Sequence, residues 1–91
     1  MRKAVKRKGR KRRDRLYIIA EILRMAKNGA LKTQLMHGVN LSFAQINDYL
    51  SSLLSTSLLK TVQEGNKLVY KTTSKGLKFL TNYEKTISLL R

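Results

Sequence analysis

The residues that could do acid–base or metal chemistry are few and far apart in this chain. Its five carboxylates stand singly, at Asp14, Glu21, Asp48, Glu64 and Glu84. His37 is the only histidine, and beside Gly38 it is expected to be a helix-end residue. There is no cysteine, so neither a disulfide nor a thiolate metal site can form. The sequence therefore predicts a protein that is not an enzyme and uses no metal or other cofactor.

Positive charge is the chemistry that the sequence offers instead. Twenty Lys and Arg residues against five Asp and Glu give a net charge of +15, which predicts a polyanionic partner. The charge is densest in residues 1–13, at Arg2, Lys3, Lys6, Arg7, Lys8, Arg10, Lys11, Arg12 and Arg13. Charge repulsion predicts that this arm is disordered in isolation. It could bind DNA or RNA, act as a nuclear-import signal, or aid solubility; the basic domain behind it favours binding.

The remaining chain is long enough for one domain, predicted at residues 14–73, followed by a last helix at 74–91. No apolar run approaches a membrane span, and the basic N-terminus lacks the apolar segment of a secretory signal. We therefore expect a cytoplasmic, nucleoid-associated protein with no membrane partner. The sequence gives no evidence of a small-molecule ligand.

Three helices are predicted first. Asp14 caps a helix at 15–27 that ends at Asn28-Gly29, and its inner stripe is Leu16, Ile19, Ile22, Leu23 and Ala26. A second helix at 30–37 ends at Gly38 and turns its leucines and Met36 inward. A third, at 42–55, starts with a capping box between Ser42 and Gln45. Its buried stripe is Phe43, Ile46, Leu50, Leu53 and Leu54.

The pattern then changes to period two. Strands are predicted at 58–62 and 68–72, joined through Gly65-Asn66, and Thr73 caps a final helix. Leu77 and Phe79 would close the domain core against the first helix. The order helix, helix, helix, hairpin, helix predicts a mainly helical α+β fold, a winged helix-turn-helix.

The outward face of the third helix carries Gln45, Asp48 and Ser52 and has no Lys, Arg or Glu. Such a face suits a helix placed in the major groove of DNA, which offers hydrogen-bonding base edges. An ordinary solvated helix accounts for the same composition equally well.

Several segments carry a family resemblance. They are Lys32-Thr33, the run from Gly38 to Phe43 (Gly-Val-Asn-Leu-Ser-Phe), and Tyr70 followed by Thr73, Lys75 and Gly76. The chain resembles small archaeal winged-helix DNA-binding proteins, which are chromatin proteins and transcription regulators. The resemblance implies duplex DNA as partner and a homodimer formed through the last helices. Here the corresponding apolar seam is Leu80, Tyr83, Ile87 and Leu90. The alternative is a last helix that folds back on its own domain.

DNA-contacting roles follow as hypotheses. Ser42, Ala44 and Gln45 would face base edges, with Gln45 on adenine and Ala44 on a thymine methyl. Asp48 repels phosphate, so either it accepts from cytosine or the helix sits shallowly.

Two further segments would contact the DNA backbone. Lys32 and Thr33 are expected to bind phosphate. Asn66 and Lys67, at the wing tip, would reach the minor groove or its phosphates.

Two other classes compete with DNA binding. An RNA-binding or ribosome-associated protein would need exposed aromatic rings for base stacking. A winged helix that binds only protein would leave the basic arm without an evident purpose, and this makes it the weakest interpretation.

Overall fold

The predicted order of elements is confirmed by the computed structural model, which describes residues 14–90. The elements are α1 (Arg15–Met25), α2 (Lys32–Gly38), α3 (Phe43–Ser55), β1 (Leu59–Glu64), β2 (Lys67–Thr72) and α4 (Ser74–Leu89). This is the winged helix-turn-helix architecture expected from the sequence. The basic arm at 1–13 lies outside the described residues. In the described part, no helix is long and apolar enough to cross a membrane.

Side chains cap three of the four helices, as predicted. Asp14 accepts from the Tyr17 amide at 2.9 Å at the start of α1. Ser42 caps α3, and the Thr73 hydroxyl accepts from the Gly76 amide at 3.0 Å at the start of α4. Each cap satisfies an amide that the first helical turn leaves without a partner.

The predicted start of the second helix is wrong by two residues. Ala30 is not helical, because its amide and carbonyl pair with Tyr70 of β2 at 2.9 and 2.8 Å. Leu31 then precedes the helix, and its amide donates to the Gln34 side chain. Gly38 does not break α2 but is its last residue; the left-handed turn position is Asn40, with φ of 56°.

The hairpin differs slightly from its predicted bounds. β1 and β2 pair in antiparallel register from Leu59 opposite Thr72 to Glu64 opposite Lys67. Only Gly65 and Asn66 therefore lie in the turn, and Gly65 supplies the positive φ, at 61°. The Thr72 hydroxyl donates to the Leu23 carbonyl at 2.7 Å, which fastens β2 to α1.

The core lies between α1, α2, α3 and the hairpin, with α4 closing one side. Its fully buried side chains are Ile22, Leu23, Leu35, Ile46, Leu53, Leu59 and Leu80. Three residues predicted to be inside are not. Leu16, Phe43 and Leu77 are 53 %, 63 % and 42 % exposed. Phe79 packs against the core as predicted, and Leu80 takes the buried position on α4 that was expected of Leu77.

The Thr73-Ser74-Lys75-Gly76 segment forms a corner that joins the end of α3 to the start of α4. The Thr73 hydroxyl also lies 3.2 Å from the Leu58 carbonyl oxygen, and Lys75 Nζ donates to the Thr56 carbonyl at 2.8 Å. A Cβ on Gly76 would stand 2.3 Å from the Leu58 carbonyl oxygen, so only glycine fits. The Thr-x-Lys-Gly motif therefore has a structural explanation here.

Candidate nucleic-acid interface

Two of the predicted base-contacting residues, Ser42 and Gln45, are engaged with each other. Ser42 Oγ accepts from the Gln45 amide at 3.1 Å, and Gln45 Oε1 accepts from the Ser42 amide at 2.9 Å. A bidentate contact with adenine needs both the oxygen and the nitrogen of the Gln45 side chain. Gln45 Nε2 is free to donate and Oε1 keeps a second lone pair, so a bidentate contact with adenine keeps the cap only in the side-chain orientation that the cap sets.

Phe43 and Ala44 point outward at the same helix end. Phe43 is 63 % exposed, although its spacing to Ile46 and Leu50 predicts burial. Leu41, which precedes the cap, is half-buried against the core and occupies the inner side at this end of α3. The hydrophobic staple therefore leaves the ring of Phe43 outside. The sequence carried a signal for this exposure, because Leu41 and Phe43 are both apolar and compete for one inner position.

Lys32 joins α2 to α3 beside this ring. Its Nζ donates to Asn47 Oδ1 at 2.7 Å and lies 5.2 Å from the Phe43 ring centroid, a cation–π distance. Lys32 is half-buried, whereas its neighbour Thr33 is exposed. The positive charge predicted to hold phosphate is thus placed at the junction of the two helices.

Farther along α3, Asp48 and Ser51 are exposed. Ala44, Asp48, Ser51 and Ser55 are spaced four, three and four residues apart, so they share one side of the helix. Within residues 14–90, no hydrogen bond or ion pair holds the Asp48 carboxylate or the Ser51 hydroxyl. The described chain also brings no three His, Asp or Glu residues together as a metal site. This side of α3 offers the Asp48 carboxylate, the Ser51 hydroxyl and small side chains to a partner, whereas the Ser55 hydroxyl donates to the Ser52 carbonyl.

Arg15 lies against α3, a contact that the sequence did not reveal. Its guanidinium carbon is 4.9 Å from the Tyr49 ring centroid, and Nη2 is 3.5 Å from Ser52 Oγ. Arg15 stands in the first turn of α1, directly after the basic arm. The described chain therefore begins beside α3. Separation by 37 positions in sequence explains why local pattern did not find this contact.

The hairpin carries a group of lysines. Asn66 and Lys67 are exposed at the turn, as expected of a wing tip. Lys60 and Lys71 are directly opposite each other and are both exposed. Like charges in this position repel, and among residues 14–90 no acidic side chain forms an ion pair with either lysine. The alternating pattern of the strands could have predicted that these two lysines are exposed. That they lie opposite each other follows only from the register of β1 and β2.

The contact of α1 with α4 is polar in one part and apolar in another. Arg24 forms ion pairs with Glu21 and, at 3.0 Å, with Glu84 of α4. Burial lowers the pKa of Arg24, but its hydrogen bond with Glu84 and the charge of Glu21 outweigh that effect and raise the pKa overall. Burial, together with the nearby Asp14 charge, raises the pKa of the Tyr83 phenol.

The apolar part of this contact changes the predicted dimer seam. Leu80 is only 2 % exposed in the core of its own chain, so it is not available to a second copy. Tyr83 and Ile87 are half-buried, and Leu90 is exposed. Tyr83, Ile87 and Leu90 line a surface groove, and Leu16 of α1 also lines it. The available seam is therefore shorter than the sequence suggested.

Comparisons with known proteins agree with this architecture. A profile of the winged helix-turn-helix family matches residues 12–91. Among solved structures, Sso10a-2, a DNA-binding protein from Sulfolobus solfataricus, superposes with a TM-score of 0.74 at 24% identity, over 85% of this chain and 81% of that one. AF1382 from Archaeoglobus fulgidus superposes at 0.70 with 16% identity, over 92% and 98%. The PcaV transcriptional regulator from Streptomyces coelicolor gives 0.67 at 22%, over 80% and 53%. No curated protein sequence matches the chain.

Proposed function

The chain belongs to the winged helix-turn-helix family, and from this premise we propose that it binds double-stranded DNA as a transcription regulator or chromatin-associated protein. α3 enters the major groove, the hairpin acts as the wing, and the arm at 1–13 binds the phosphate backbone. The described residues that contact DNA are Lys32, Thr33, Ser42, Ala44, Gln45, Asp48, Asn66 and Lys67, to which the structure adds Arg15, Phe43, Lys60 and Lys71 as candidates.

The single observation that carries this proposal is the distribution of charge around α3. The helix has no cation of its own, yet Lys32 stands at its N-terminal end and Arg15 lies along its flank. Phosphates border the base edges of a groove on both sides, so a helix that fits there needs cations around it. The basic arm ends at Arg13, two positions before Arg15, and adds sequence-independent attraction.

The similar proteins support the same function. Sso10a-2 is described as a DNA-binding protein and PcaV as a transcriptional regulator. Their likeness shows a shared fold, and the charge distribution around α3 supports the proposal that this chain shares the function.

A second copy of the chain is part of the proposal. Tyr83, Ile87 and Leu90 leave apolar surface along the end of α4, and Leu16 and Leu89 add exposed surface near it. Burying this surface in a homodimer removes it from water. Two copies of α3 would then be held at a fixed separation and would favour paired sites.

Binding is tested by electrophoretic mobility shift on duplex DNA, duplex RNA and single strands over a range of salt concentrations. If arm and domain together neutralise about six to eight phosphates, the slope of log K against log salt is about −5 to −7 on duplex DNA. Deleting residues 1–13 should reduce this slope by several units and leave the circular dichroism spectrum of the domain unchanged. Tighter binding to RNA or single strands than to duplex DNA would overturn the proposal in favour of an RNA-binding protein.

Dimerisation is tested by sedimentation of the wild type and of the Ile87→Glu, Leu90→Glu double mutant. The wild type should sediment as a dimer and the mutant as a folded monomer. The matched control is Thr81→Glu, Lys85→Gln, which makes the same change in net charge on exposed positions of the same helix. A wild type that is monomeric at high micromolar concentration contradicts the homodimer.

A further inference from the structure

We infer that Phe43 is a specificity-determining residue that contacts the C5-methyl group of thymine in the major groove. The inference rests on the proposed function, because it assumes that the N-terminal end of α3 faces DNA. Apolar contact by Phe43, and not hydrogen bonding by Gln45, is then the main source of base discrimination at this helix end.

The polar side chains near this end of α3 are held in place by bonds within the domain. Ser42 and Gln45 bond each other's backbone amides, and Asn47 Oδ1 accepts from Lys32. These bonds fix the orientation of Gln45 and Asn47, so turning either side chain toward a base would cost a bond that the fold already makes. Of the outward side chains in the first turn of α3, Phe43 and Ala44 need not give up any bond to contact DNA.

The Phe43 ring is exposed at this end of α3. With 63 % of its surface accessible, it contributes little to the core, and yet it stands beside a lysine. The Lys32 ammonium, 5.2 Å from the ring centroid, can offset the charge of a phosphate while the ring faces the adjoining base. An apolar group and a cation are thus placed side by side, as methyl and phosphate are along the groove wall.

An apolar ring can distinguish bases only by an apolar feature of the DNA. In the major groove, the methyl group of thymine is the one apolar feature of a base edge, and Phe and Ala are suited to contact it. The methyl group is absent from uracil and cytosine but present in 5-methylcytosine. Apolar contact therefore predicts a preference for methylated pyrimidines that does not depend on the base-pairing edge.

The experiment measures binding to four 20-base-pair duplexes. Two have alternating A·T sequence, one with thymine and one with deoxyuridine throughout. The other two have alternating G·C sequence, one with cytosine and one with 5-methylcytosine. Burying one methyl group is worth about fourfold in affinity, so each methylated duplex should bind roughly three- to tenfold more tightly than its partner. Comparing both pairs separates the methyl group from changes in groove shape.

Variants assign the effect to the ring. Phe43→Ala should reduce the methyl preference to less than about twofold on both pairs, whereas Phe43→Leu should retain part of it. The control Leu77→Ala, which removes an apolar side chain of 42 % exposure from α4, should leave the preference unchanged. Because Phe43 is exposed, its removal should not unfold the domain, and thermal unfolding of each variant verifies this.

Three results would overturn the inference, and they differ in meaning. Equal wild-type binding to methylated and unmethylated duplexes refutes the Phe43 contact but leaves DNA binding intact. Failure to bind any duplex refutes the proposed function as well. A methyl preference that survives in Phe43→Ala also rejects this residue, and assigns the contact to another apolar group such as Ala44.

Discussion

α3 and the hairpin both face outward, but they present opposite chemistry. The outer side of α3 carries an aromatic ring, small side chains and one carboxylate, with no Lys or Arg in the helix. The hairpin carries Lys60, Lys67 and Lys71 on exposed positions. In a molecule that binds DNA, this separates two tasks between two elements. Under the proposed function, the hairpin would supply attraction that is independent of sequence, and α3 would supply contacts that depend on the base.

This separation has a physical advantage. Lysines on the recognition helix would hold it on any sequence by charge alone, whereas a helix without them gains little from a wrong site. The Asp48 carboxylate strengthens the effect, because it repels phosphate wherever no base donor compensates. The two regions should therefore respond differently to the same kinds of mutation.

The largest expected effect is on the hairpin. Replacing Lys60, Lys67 and Lys71 by Ala should weaken binding on the order of 100-fold near 0.1 M salt and reduce the salt slope by about 2 to 3, equally on all sequences. Fluorescence anisotropy titrations at several salt concentrations measure both. The control removes the same net charge elsewhere, at Lys27, Lys78 and Lys85. An equal loss in this control would show that net charge, and not the hairpin, provides the attraction.

The second prediction breaks the connection between the two regions. Gly76→Ala puts a Cβ against the Leu58 carbonyl oxygen, where strand β1 leaves α3, so the backbone must shift. Overpacking of this kind costs about 1–3 kcal/mol, and Tm should fall by roughly 5–20 °C in differential scanning calorimetry. Gly65→Ala, where a Cβ would meet nothing within 4 Å but φ is 61°, is the comparison variant that carries backbone strain without overpacking. If Gly76→Ala is as stable as the wild type, the corner is not tightly packed.

The third prediction removes the negative charge of α3. Asp48→Asn should strengthen binding to alternating A·T duplexes by about three- to tenfold and make the salt slope steeper by about one. Glu84→Gln, at an exposed position of α4 outside the proposed interface, is the matched control for a lost carboxylate and should leave the affinity unchanged. A mutant whose affinity does not change at any salt concentration would mean that Asp48 does not approach the phosphates.

The smallest effect is expected from Gln45. Gln45→Ala loses the bond from the Ser42 amide and should destabilise the domain by about 0.5–1 kcal/mol, measured by urea denaturation. Gln45→Glu keeps an acceptor at this position and should be close to wild type in stability. If both variants keep full stability but lose discrimination between DNA sequences, Gln45 contacts a base and not the cap.

The elements of the fold were predictable because their signals are local. Caps at Asp14, Ser42 and Thr73 lie within three residues of the amides they satisfy, and the hairpin turn is a two-residue signal. The start of α2 was missed because Ala30 pairs with Tyr70, forty positions away, which outweighs its helical propensity. Long-range pairing of this kind has no local signature.

The candidate site was less predictable than the fold. Helical periodicity assigned Phe43 to the core and left Leu80 for a partner, whereas the structure reverses both. Periodicity predicts which face of a helix is apolar. It does not predict which positions on that face the neighbouring elements cover. Spacing likewise placed Ser42 and Gln45 at the helix end. It did not show that their side chains bond each other's backbone amides. The sequence-based roles of Lys32, Thr33, Asn66 and Lys67 remain predictions.

The contact of Arg15 with Tyr49 and Ser52 has a kinetic consequence, because it fixes where the basic arm is tethered. Thirteen residues span at most about 45 Å, or roughly 13 base pairs along a duplex, measured from the side of α3. A tether of this length holds the arm and α3 at a high effective concentration relative to the same duplex. Under the proposed function, the arm would stay on the backbone when α3 leaves a site, so rebinding nearby would be faster than escape to solution. The protein would then sample neighbouring positions on one DNA molecule before it dissociates.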